Sequence, residues 1–203
     1  MGVSYSHQVQ KEDKMNTHPF LWLRDSSRKV TFWVSTALAL LTMIALQLLG
    51  APLRTEASLS GIVSFELAGS LAKIESILAS WDPTTKIYAG LNLGLDFLFI
   101  GTYVGAIGLG CVLVAERLSR HGSLLGATGV LLAWGMLLAG ALDCVENYAL
   151  IKLLLGSQVN ILAVVARCCA IPKFLIVLLG LLYMILGAVI SPLLGKRGQQ
   201  SAA

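Results

Sequence analysis

The chain has 203 residues, 56% of them hydrophobic and only 13% charged, and a formal net charge of +4. Soluble domains carry about 25% charged residues, so this composition, with a mean hydropathy of +0.78, excludes an ordinary soluble domain and reads as an all-α integral membrane protein. The basic excess sits near the two ends, at Lys11, Lys14, Arg24, Arg28, Lys29, Lys196 and Arg197. There it marks topology and lipid-headgroup contact, and it argues against nucleic acid as a partner.

Residues 1–29 form a polar arm, and no cleavable signal peptide is expected because the first apolar run is long enough to span. Phe20, Trp22 and Trp33 suit interfacial anchors. A four-span transmembrane domain is expected over residues 30–195, with a tail at 196–203. The first span covers about 30–50 and is closed by Pro52. Over about 58–80, Val63, Leu67, Leu71, Ile74 and Leu78 recur at steps of three and four, with Glu66, Ser70 and Lys73 on another face. That pattern predicts one additional amphipathic helix at the membrane interface. Trp81-Asp82-Pro83 marks a turn.

The second and third spans are expected at about 87–115 and 124–150, each long enough to cross roughly 30 Å of hydrocarbon. A short helix at about 158–170, a break at Pro172 and a fourth span at about 173–194 complete the four-helix bundle. Four spans put both termini on one side. Nine Lys and Arg fall on that side and six on the other, which places both termini in the cytoplasm of an inner- or plasma-membrane protein.

The sharpest signal is acid inside apolar text. Asp96 lies in NLGLDFLFIGTY, and Asp143 and Glu146 lie in LAGALDCVENYALIKLLL. A carboxylate at membrane depth costs roughly 2.5–3.5 kcal/mol on insertion scales, so it faces a partner, a cavity or a ligand. Asp96 is eight residues past Tyr88, roughly 12 Å into its span. Asn92, Asp96, Phe99 and Tyr103 share one helical face, and Asp143, Glu146 and Asn147 share another. Arg167 and Lys173 come from the same outer half. The expected site is Asp96, Asp143, Glu146, Asn92, Asn147, Tyr103, Arg167 and Lys173, with Glu66 a further candidate.

Gly90, Gly94, Gly101, Gly105 and Gly108 form a stripe opposite Asp96, suited to close packing by the first span or by another subunit. The four cysteines include no C-x-x-C pair, and His7, His18 and His121 lie outside the apolar spans. No zinc site, disulfide framework or cofactor is evident from these residues.

Three functions fit. The first is binding or conducting a small cation, proton or amine, since the acids outnumber the bases. Oxygen ligands of this kind suit Na⁺, Ca²⁺ or Mg²⁺ better than zinc. The second is an accessory subunit of a homo- or hetero-oligomer whose charges form salt bridges only. The third is a membrane enzyme using the acids on a lipid-like substrate, for which the catalytic residues are unknown. No G-x-S-x-G or H-E-x-x-H sequence supports that third function.

The stretches LDFLFIGTY, LAGALDCVENYALI and CAIPKFLIVLLGLLY resemble those of bacterial four-helix integral membrane proteins of no known activity, over about the last 120 residues. The four-span plan with buried acids is also similar in architecture to the emopamil-binding/sigma-2 family. No residue is carried across from that likeness.

Overall fold

The computed structural model describes the backbone of residues 18–119 and 123–200 and the side chains of residues 18–119 and 124–190. The polar arm up to Thr17 (with His7, Lys11 and Lys14), Arg120 and His121 of the loop, the Lys196 and Arg197 side chains and the last three residues lie outside the described residues. The described residues are predominantly helical, with no strand among them. In order they form α1 (Asp25–Gly50), a 3₁₀ turn (Ala51–Leu53), α2 (Ile62–Glu66), α3 (Leu71–Ser80), α4 (Pro83–Leu118), α5 (Ser123–Leu154) and α6 (Asn160–Gln200). Four of them, α1, α4, α5 and α6, are long and apolar enough to cross a membrane. The chain therefore has the character of an integral membrane protein.

The helices begin and end where local chemistry directs. Asp82 precedes Pro83, and its carboxylate accepts the Thr85 backbone N–H at 2.6 Å. The expected turn at 81–83 is thus the N-cap of α4, with proline at the first helical position. That hydrogen bond to Thr85 holds the Asp82 carboxyl below its ordinary range. At the end of α5, Gly156 takes φ +94°. Its N–H reaches the Leu153 carbonyl and the Ser157 N–H reaches that of Lys152, both at 3.0 Å. These two bonds make a Schellman cap and turn the chain toward α6.

Two sequence expectations change. The single amphipathic helix over 58–80 is instead two short helices, α2 and α3, separated by Gly69 at φ +70°. Phe65, Ala68, Ile74 and Ile77 are buried, whereas Val63 and Leu67 are exposed. The three-and-four repeat therefore did not mark one continuous face. The break at Pro172 is also absent, and the segment expected as a separate helix at 158–170 is the first part of the 41-residue α6. Proline removes only one rung of the ladder, a loss that transmembrane helices tolerate.

The chain forms two compact units. Of the described residues, the first comprises 18–35, 104–119, 123–137 and 176–200. Its packing depends on small residues. Gly108 lies against Phe20, Gly110 against Met184 and Phe32, Gly129 against Tyr183 and Ala115, and Gly180 against Met136 and Ile107. Arg28 pairs with Glu116 at 2.7 Å and Asp25 at 3.0 Å. His18 is buried and accepts the Phe20 N–H through Nδ1 at 3.1 Å. Burial, then the charge of Arg28, lowers its pKa, while Asp25 opposes.

The second unit comprises residues 36–103 and 138–175. Its core joins Leu53, Phe65, Ile74, Trp81, Leu93, Leu150 and Leu153. Trp81 Nε1–H and Ser58 Oγ–H both donate to the Leu53 carbonyl, at 3.0 and 2.6 Å, which ties the 3₁₀ turn to the end of α3. Asn160 accepts the Leu71 N–H at 2.9 Å and so caps α3 from the start of α6. The Arg167 side chain lies across Gly69, where an added Cβ would come within 2.6 Å of Arg167 Cδ.

Gly69 therefore faces both a left-handed backbone and an occupied space. Gly69→Ala should lose about 1–3 kcal/mol of stability through backbone strain, read as a lower melting temperature in detergent. Gly94→Ala, whose Cβ would meet nothing within 4 Å, should leave melting unchanged or slightly raised.

Candidate acidic site in the second unit

Three helices and one short connecting helix bring charged groups together in the second unit. Lys173 of α6 places Nζ 2.9 Å from Asp143 Oδ1 and 2.8 Å from Glu146 Oε2 of α5. All three side chains are shut off from solvent, with exposures of 6%, 4% and 0%. Asp143 and Glu146 are three residues apart and so project from one face, which lets one ammonium meet both.

The surrounding bonds are uneven. Tyr103 O–H donates to Asp143 Oδ2 at 3.0 Å, so both oxygens of Asp143 are engaged. Asn147 Nδ2–H donates to Asp96 Oδ2 at 2.7 Å, and Asp96 is a close neighbour of Asp143. Glu146 has no such support. The ammonium meets its Oε2 at 2.8 Å, and its Oε1 has no partner. One oxygen of a fully buried carboxyl therefore lacks a donor. Because an unmet buried polar atom costs roughly 1–3 kcal/mol and more when charged, this is the exposed nerve of the site.

Glu66 is the further candidate. It ends α2, outside the spans, and lies within electrostatic reach of Lys173, Glu146, Asp96 and Asp143. The residue as a whole is half-buried, yet its Oε2 is shielded and without a partner. The state of that atom governs the charge. Burial pushes the Glu66 carboxyl up to about 8; Lys173 opposes this, and Glu146, Asp96 and Asp143 reinforce it.

Two expected members stand apart. Arg167 is exposed, and among the described residues it enters no ion pair. Six residues from Lys173, it is turned about 120° away on the helix and covers Gly69 instead. Asn92 is buried but donates to the Leu46 carbonyl at 2.8 Å, fastening α4 to α1. The glycine stripe also divides. Gly90 lies by Leu154, Gly105 by Ser35 and Gly108 by Phe20, while Gly94 and Gly101 face open space.

With Arg167 removed, four carboxyls surround one ammonium. If all four ionise, three negative charges are left uncompensated. Two carboxylates about 5 Å apart repel by roughly 3 kcal/mol even at an effective dielectric of about 20, so full ionisation of such a cluster is costly. Among the described residues no three His, Cys, Asp or Glu side chains are grouped to hold a metal ion.

The chain matches no family model, no curated protein and no solved structure.

The Glu66 carboxyl sets a pH signature. Folded protein keeps this proton where the unfolded chain has lost it. Stability should therefore fall as pH rises from 4.5 to about 8, and level off above that. In Glu66→Gln the fall should be shallower, measured as melting temperature against pH. An unchanged slope would mean that the Glu66 carboxyl is not enclosed.

Proposed function

We propose that the acidic cluster is a membrane-embedded site that binds or conducts a proton, small cation or amine. One observation carries the reading: Glu146 is fully buried, has no donor at Oε1, and is one of four carboxyls that share a single lysine. A purely structural network would balance its charges, because leaving a buried charge unmet is far costlier than replacing it by an apolar residue. Here the imbalance persists at the most enclosed residue of the group. The charge distribution of the sequence favours both termini in the cytoplasm. In that orientation the segment carrying Glu66 faces outward and the site loads from the outer side.

A second reading rests on Gly94 and Gly101. These exposed glycines on α4 suit the close approach of another apolar helix, as in an accessory subunit of a membrane complex. That reading leaves the Glu146 carboxyl unexplained, so it ranks below the first.

The test is thermal melting of purified protein in detergent over a range of pH and of sodium or methylammonium chloride. A cation at one hundred times its Kd stabilises the folded state by about 2.7 kcal/mol. Wild type should show such a shift, and Asp143→Asn should fold yet lose most of it. Should wild-type melting ignore both pH and cations, the cluster is a salt-bridge network and nothing more. Gly101→Leu should leave the cation response intact, whereas loss of a co-purifying partner in that variant would favour the accessory-subunit reading.

A further inference from the structure

Lys173 occupies the place a bound cation would take. Its Nζ lies 2.9 Å from Asp143 Oδ1 and 2.8 Å from Glu146 Oε2, the lengths of charge-assisted N–H···O contacts. We propose that Lys173 is a tethered competitor: a small monovalent cation replaces its ammonium at Asp143 and Glu146, and the lysine releases one proton for each cation bound. This rests on the reading of the cluster as a binding site and specifies how that site is filled.

The two carboxylates are unequal partners, and the difference makes exchange workable. Asp143 keeps the Tyr103 hydroxyl as a second donor when the ammonium leaves. Glu146 has the ammonium at Oε2 and no donor at Oε1, so a cation of similar size satisfies it as well as the lysine does. Two carboxylates are too few oxygens for calcium, which takes six to eight ligands. They suit a singly charged ion or a primary ammonium.

The backbone permits the movement. Pro172 has no N–H to give the Cys168 carbonyl, so one rung of α6 is missing in the turn that carries Lys173. Such a turn is where a long helix flexes most readily. A cation seated at Asp143 and Glu146 repels the neighbouring ammonium, and lysine, unlike arginine, can shed its proton. The groups facing Lys173 are Glu66 on α2, Asp96 on α4 and Asp143 and Glu146 on α5, with Cys169 on its own helix.

The step balances. Lysine as –NH₃⁺ and an incoming cation become lysine as –NH₂, a bound cation and one released proton. The formal charge of the site is the same before and after. The exchange is therefore one for one, and a gradient of either ion is able to drive it.

The experiment uses the full chain in detergent at neutral pH with little buffer. Sodium or methylammonium chloride is added, with tetramethylammonium chloride as the bulky control, and a pH indicator and melting temperature are read together. Wild type should release about one proton per chain as it is stabilised. Lys173→Arg keeps the positive charge but holds its proton, so it should neither release protons nor respond to the cation. Lys173→Gln should melt well below wild type without cation, recover on its addition and release no proton. This variant decides the matter if the arginine protein does not fold. Cation binding by wild type without proton release, or a wild-type response from Lys173→Arg, would overturn the exchange and leave the acidic site standing. If neither cations nor pH shift the melting of any of these proteins, the binding reading falls with it.

Discussion

An ammonium group that solvent barely reaches organises the second unit. Lys173 must be matched by carboxylates, because an isolated charge in an apolar interior is prohibitive. Asp143 and Glu146 provide the match from one face of α5. Their presence then sets its own demand, since they sit with Asp96 and Glu66 around the same lysine. Tyr103 and Asn147 donate to two of these acids. Glu146 has no such second donor, and its Oε1 is left without a partner.

The first unit shows what an ion pair looks like without that demand. Arg28 meets Glu116 at 2.7 Å, but the Glu116 side chain is 36% exposed, so water shares the load. Pairs of this kind contribute about 0–1 kcal/mol. Packing in that unit comes mainly from glycines that let Phe20, Met184 and Tyr183 approach the backbone. Similar chemistry thus has different consequences in the two units, and the controlling variable is access to water.

Much of this was legible in the sequence, for physical reasons. Asp96, Asp143, Glu146 and Lys173 stand out because charge is rare in apolar text, and helical phase correctly placed Asp143, Glu146 and Asn147 on one face. The four spans follow from length and hydropathy. Arg167 was misjudged because closeness in sequence stood in for helical phase. Asn92 shares a phase with Asp96, but phase cannot say which carbonyl lies within reach, and Leu46 supplies it. The segment over 58–80 was misread because a periodic apolar pattern survives an interruption. Gly69 was the available signal, and its positive φ becomes evident only in three dimensions. Pro172 misled in the other direction, since a rule drawn from water-soluble helices overstates the damage a proline does within a membrane span.

The central claim is that this cluster cannot hold four ionised carboxyls around one lysine. Infrared difference spectroscopy in detergent reads the protonation of carboxyl groups directly. At neutral pH without added cation, the account predicts a protonated-carboxyl band that weakens in Glu66→Gln. A spectrum with only carboxylate bands, unchanged by the substitution, would contradict it.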